Sequence, residues 1–300
     1  EDGTQSVTIT ITENESAPTV TLISSANSIV ENAGSSLTLT ATLSVATTAD
    51  VTVGISTSGT GTEGTDYSTI SDITISAGAT TGTASFTPTD DSTYEGNETG
   101  IVAISTVSGG SATEDGTQSV TITITENESS PTITLAASAS SIAENAGSSL
   151  TLTATSSIVT DEDITVSIST SGTGAEGTDY STISDITISA GDTTGTVSFT
   201  PTDDSVYEGN ETGIVAISGV SGADAAEDGT QSVTITITEN DSAPTITLAT
   251  SASSIAENAG SSLTLTATSS IVTDEDITVS ISTSGTGTEG TDYGTISDIT

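Results

Sequence analysis

The side chains able to do chemistry in this chain are almost all carboxylates. It carries 41 Asp and Glu with no Lys, Arg or His, a formal net charge of −41. In one stretch the acids fall at Glu31, Asp66, the pair Asp90-Asp91, Glu95, Glu98 and the triplet Glu126-Asn127-Glu128, all in turn-forming sequence between apolar runs. Two ionised carboxylates about 4 Å apart repel by roughly 4 kcal/mol at an effective dielectric near 20. No basic side chain exists to offset that repulsion, so the partner must be a dissolved cation. Calcium takes roughly six to eight oxygens in a flexible geometry and suits carboxylates gathered from several loops. Magnesium keeps its waters, and zinc favours His or Cys, both absent here.

The elements that must position these acids come from an internal repeat. Glu1-Asp2-Gly3-Thr4-Gln5 recurs at Glu114 and Glu227, Pro18 at Pro131 and Pro244, and Tyr67 at Tyr180 and Tyr293, always 113 residues apart. Such a period is too long for a solenoid turn and is the size of one small β-sandwich. The expected domains are residues 1–15, matching the last strand of a preceding repeat; full repeats at 16–128 and 129–241; and 242–300, the first half of a further repeat. The ends are out of phase, as in a window on a longer array. Pro18, Pro131 and Pro244 mark repeat entries, because proline cannot extend the preceding ladder. The short junctions exclude floppy tethers.

Within the first full repeat, period-2 alternation of Val, Ile and Leu with Thr predicts strands near Thr19–Ile23, Ser36–Leu43, Asp50–Ser56, Ile70–Ile75, Thr81–Thr87, Gly100–Thr106 and Gln118–Thr125. The expected fold is all-β: tandem Greek-key, Ig-like β-sandwiches of about seven strands each, joined end to end. The inward face is expected to carry Leu37, Leu39, Ala41, Val51, Val53, Ile55, Phe86, Val102, Ile104, Val120, Ile122 and Ile124. With two Phe, five Tyr and no Trp or Met in the chain, such cores are aliphatic and small.

Glu-Asn-Ala-Gly after the first strand, Gly-Thr-Asp-Tyr in the middle, Asp-Asp-x-x-Tyr-Glu-Gly-Asn-Glu before the sixth strand, and a strand-terminal Glu-Asn-Glu or Glu-Asn-Asp together resemble the Calx-β domain. The resemblance extends over essentially the whole chain as repeated units. It implies Ca2+ ligands at Glu31, Asp66, Asp90, Asp91, Glu95, Glu98, Glu126 and Glu128 in the first full repeat. In the second they are Glu144, Asp179, Asp203, Asp204, Glu208, Glu211, Glu239 and Asp241; in the third, Glu257 and Asp292. Strong binders of the family end the last strand with three aspartates, whereas here Asn127 and Asn240 interrupt the acids. Affinity is therefore expected nearer the roughly 10⁻⁴ to 10⁻³ M of extracellular modules.

The same inventory sorts function classes. A net charge of −41 opposes nucleic acid and anionic lipid, and no apolar run approaches the roughly 20 residues that span a bilayer. With no His, Cys or Lys, no nucleophile elbow and near-identical units, an enzyme is not expected. Lacking Lys and Arg, the chain offers no trypsin-type cleavage site. These features point to an extracellular or cell-surface stalk or fibre whose partners are neighbouring repeats and possibly other copies in a fibre. The alternatives are a calcium-responsive binding module and a non-covalent filament assembled through strand pairing. Asn14, Asn97, Asn127, Asn210 and Asn240 fall in Asn-x-Ser/Thr triplets, a weak glycan pattern. The acidic runs Asp161-Glu162-Asp163 and Asp274-Glu275-Asp276 read as solvated hairpins rather than further ion sites.

Overall fold

Thr, Val and Ile alternate because successive strand side chains face opposite sides of a sheet, and in every long strand one side is sealed while the other meets water. The computed structural model describes all residues except Glu1, Asp2, Thr4 and Glu13. In the first full repeat the strands are β1 (Thr19–Ser24), β2 (Ser28–Val30), β3 (Leu37–Leu43), β4 (Val51–Gly59), β5 (Ile73–Ile75), β6 (Thr81–Phe86), β7 (Thr93–Tyr94), β8 (Glu98–Ser108), β9 (Thr113–Glu114) and β10 (Ser119–Thr125). They form a four-stranded sheet of order β6-β3-β1-β9 and a five-stranded sheet of order β2-β10-β8-β4-β5. The pairs β1·β9 and β10·β2 are parallel; β1·β3, β3·β6, β4·β5, β4·β8 and β8·β10 are antiparallel.

The second repeat has β11 (Thr132–Ala137), β12 (Ser141–Ala143), β13 (Leu150–Ser156), β14 (Val159–Thr160), β15 (Ile164–Gly172), β16 (Ile186–Ile188), β17 (Thr194–Phe199), β18 (Glu211–Ser221), β19 (Ala226–Glu227) and β20 (Ser232–Thr238). Its two sheets, β17-β13-β11-β19 and β12-β20-β18-β15-β16, reproduce those of the first. In the third, β21 (Ile246–Thr250) pairs with β22 (Leu265–Ser269). The chain divides into two compact units: Glu1–Ser130 with Ile158–Asp161, and Pro131–Ser157 with Glu162–Thr300.

Each full repeat closes its two sheets over its own core. In the first, Val20, Leu39, Val51, Val53, Ile73, Phe86, Val102 and Ile122 are sealed from solvent, each large aliphatic contributing roughly 1.5–3 kcal/mol by burial. Leu37, Ile55 and Val120, expected inside, sit half-buried at the margin. The aromatic pair Tyr67–Phe86 stacks at 4.6 Å between ring centroids, and Tyr180–Phe199 repeats this at 4.7 Å. Gly100 makes room for that pair, since a Cβ there would lie 2.7 Å from the Phe86 ring.

Three expectations shift. The strand expected from Ile70 is ordered only at Ile73–Ile75, because the preceding residues are held by the Tyr67 loop instead. The expected Gly100–Thr106 strand runs longer, from Glu98 to Ser108, and the short β2, β7 and β9 carry too few residues to show alternation. Residues 5–12, whose sequence matches β10, lie outside any ladder, with Val7, Ile9 and Ile11 exposed. In β10 the same sequence gains β2 and β8 as neighbours, which residues 5–12 lack. Of the leading Glu-Asp-Gly-Thr-Gln copy, Glu1, Asp2 and Thr4 lie outside the described residues.

Candidate metal centre

The acids converge because strands distant in sequence are neighbours in the sandwich. Glu31 follows β2, and its N–H donates to Thr125 O at 3.0 Å, fixing it beside the end of β10, where Glu126 and Glu128 begin. The loop between β6 and β8 passes the same end, held when Asp91 N donates to Glu31 Oε1 at 3.2 Å. Asp66 precedes the buried Tyr67, which anchors its loop, and Asp66 Oδ2 accepts Thr62 N at 2.6 Å.

Among the described residues of the first repeat, two triads can each present ligand oxygens within 4.8 Å of one another: Glu31, Glu126 and Glu128; and Asp66, Glu95 and Glu98. The second repeat forms Glu144, Glu239 and Asp241; Asp179, Glu208 and Glu211; and a bridging set of Glu144, Asp204 and Glu208 that joins them. Asp91 is in neither first-repeat triad, but its charge bears on Glu31 and Glu95. Asp90 is exposed and acts at the edge, on Glu128, while Asp203 is exposed and joins no triad. Glu257 and Asp292 line one cleft of the third repeat together with Tyr293.

Glu126 is the organiser. Its Oε2 accepts Glu95 N at 2.7 Å and Gly96 N at 3.0 Å, and its Oε1 accepts Asn127 N at 2.8 Å and Glu128 N at 2.9 Å. Burial alone would raise its pKa, but these donors outweigh it and hold Glu126 below the usual value. Glu239 repeats the pattern with Glu208, Gly209 and Asp241, with the same net lowering. The other acids go the opposite way. Burial, partly opposed by the Asp91 N–H and reinforced by the Glu126 and Glu128 charges, pushes Glu31 up to about 7. Burial and then the Asp66 charge push Glu95 up to about 8 and Glu98 to about 7; burial and the Asp179 charge push Glu208 and Glu211 to about 7. Glu128 is raised first by the adjoining Glu126 carboxylate and then by burial.

The donor set fits a hard cation. All ligands are oxygens, and Glu31 is only 6% exposed in a chain with no positive side chain. Glu128 Oε2, Asn127 Oδ1 and Asp241 Oδ2 are buried without a hydrogen-bond partner. Buried oxygens are otherwise paired almost without exception, so these orphans mark places where a cation would supply the contact. Carboxylates and an amide oxygen in irregular geometry suit calcium best.

Sequence reasoning missed the loop pins. Asn97 Oδ1 accepts Glu126 N and Asn210 Oδ1 accepts Glu239 N, each at 3.0 Å, while Asn127 Nδ2 donates to Glu128 at 2.8 Å. The signal available was the verbatim return of Tyr-Glu-Gly-Asn-Glu in both full repeats. Glu63 is structural: its two oxygens accept Ile70 N at 2.6 Å and Thr57 Oγ1 at 2.7 Å.

Comparison with known proteins gives one family. A model described as the Calx-beta domain matches residues 13–128, 126–241 and 239–298. No curated protein matches the chain. Among solved structures, CBD12 from CALX1.2 is similar at 13% identity, covering 73% of this chain and 100% of that one, with a TM-score of 0.33. The adhesin InvE of Yersinia pseudotuberculosis shares 14% identity over 73% of this chain and 58% of its own, with a TM-score of 0.33. Invasin, a bacterial integrin-binding protein, shares 17% over 82% and 45%, with a TM-score of 0.32.

Proposed function

The chain belongs to the Calx-beta domain family, and from that premise we propose that it is a calcium-stabilised structural array, a stalk or fibre segment of an extracellular surface or adhesion protein. The single observation that carries this reading is the crowding of carboxylates without any protein cation: two triads per full repeat, a Glu31 sealed from water, and acids held near 7 to 8. A cation among them removes the mutual repulsion and occupies the orphaned oxygens, so its binding energy adds to that of folding. Repetition of one unit with a Thr- and Ser-rich exterior supports a load-bearing role over a specialised recognition site. A charge of −41 with no basic side chain suits a saline exterior, and no helix among the described residues is long and apolar enough to cross a membrane.

The test is thermal melting of the chain in calcium and in EGTA, with calcium binding measured by calorimetry. Saturating calcium is expected to raise the melting temperature by on the order of 5–10 °C, with magnesium giving a small fraction of that. Identical melting in calcium and EGTA would remove the proposal.

A further inference from the structure

β14 does not join the sheets of its own repeat. Val159 and Thr160 pair in parallel with Thr93 and Tyr94 of β7, in the repeat before. Asp161 N adds a hydrogen bond to Tyr94 O at 3.4 Å. The contact is sealed: Thr160 is 0% exposed and Tyr94 7%. Accordingly Ile158–Asp161 belongs to the first compact unit, while the residues on either side of it belong to the second. The arrangement recurs one period later, where Tyr207 bridges Thr273 in parallel and Tyr207 N donates to Val272 O at 3.1 Å.

The acid that ends this segment arrives beside the centre already described. Asp161 is among the charges that act on Glu95 and Glu98, and Asp274 among those that act on Glu208 and Glu211. Those centres contain the buried, unpartnered oxygens of Glu128 and Asp241, an independent sign that a cation belongs there. In the first full repeat the equivalent position is Thr48, so the carboxylate is not required by the local turn.

We propose that Ile158–Asp161 and Ile271–Asp274 are cation-gated clasps: each pairs with the Thr-Tyr or Val-Tyr segment of the preceding repeat and brings one more carboxylate to that repeat's centre. Without a cation, Asp161 and Asp274 meet unscreened acids and the short parallel pairing opens; with one, the added oxygen becomes a ligand and the pairing closes. This inference rests on the calcium reading above.

The test is site-resolved hydrogen exchange on the full chain, in calcium chloride and in EGTA, at the amides of Asp161 and Tyr207, with Val102 as a core reference. Calcium is expected to slow the first two by at least about tenfold while leaving Val102 unchanged. Asp161→Thr, a residue the same turn already accommodates at Thr48, is expected to make protection at position 161 independent of calcium once its intrinsic rate is allowed for. Equal exchange of Asp161 and Tyr207 in both buffers, or full calcium dependence surviving in Asp161→Thr, would overturn the clasp. Calorimetry on the same samples separates the two readings. Calcium binding without any change at these amides sinks the clasp alone, whereas no binding sinks both.

Discussion

Glu31 and Glu126 show how one residue type takes two roles a few ångströms apart. Glu126 is surrounded by backbone donors and stays charged, whereas Glu31 has one donor, near-complete burial and two neighbouring carboxylates. Sequence marked both as acids in turns. It could not assign the roles, because the donors to Glu126 include Glu95 and Gly96, some thirty positions away. Glu31→Gln keeps an acceptor for Asp91 N but removes the buried charge. In EGTA at pH 8 this variant is expected to melt several degrees above the parent, a gain on the order of 1 kcal/mol. In calcium it should melt below the parent because a ligand charge is lost. A lower melting temperature in both buffers would show that Glu31 acts through packing rather than charge.

At the scale of elements, the β4·β8 pair has a register shift at Gly54/Ile55, and the β15·β18 pair has the same shift at Ser167/Ile168. Gly54 faces Thr106, and a Cβ on Gly54 would stand 2.3 Å from Thr106 Oγ1. In the second repeat the sizes are exchanged: Ser167 faces Gly219, with 4.0 Å between Ser167 Cβ and the place of a Gly219 Cβ. One side of the irregular pair must be bare, and either side will serve. Gly54→Ser is therefore expected to cost about 1–3 kcal/mol in denaturant unfolding, with most of it restored by adding Thr106→Gly. An unrescued double variant would show that glycine is needed at 54 for backbone conformation instead. The main strands were legible from alternation, but this exchange was not, since positions 54 and 106 become opposite each other only through the sheet register.

Over the whole molecule, the raised acids set the direction of pH dependence. Glu31, Glu98, Glu208 and Glu211 move from an ordinary 4.5 to about 7 in the folded state, and Glu95 to about 8. Between those limits the folded chain holds protons that the unfolded chain has released, so unfolding becomes easier as pH rises. The stabilising contribution is complete below about 4.5 and lost by about 8. In EGTA the melting temperature is thus expected to climb as pH falls from 8 to 5.5, and in calcium that slope should flatten or reverse as protons and metal compete. A cation-free melting temperature that falls over this interval would contradict the arrangement of acids described here.

The sequence by itself determined the repeat period, the sandwich class and which carboxylates gather at one end, because alternation and copy spacing are local properties that survive without knowledge of contacts. Tertiary structure alone decided that Glu126 organises the loop while Glu31 stays buried. It also decided that Asp90 and Asp203 sit at the edge, and that Val159–Thr160 pairs with the neighbouring repeat rather than turning freely in solvent. Those outcomes depend on backbone donors and ladder partners tens of residues away, and only closure of the sheets brings such groups within bonding distance.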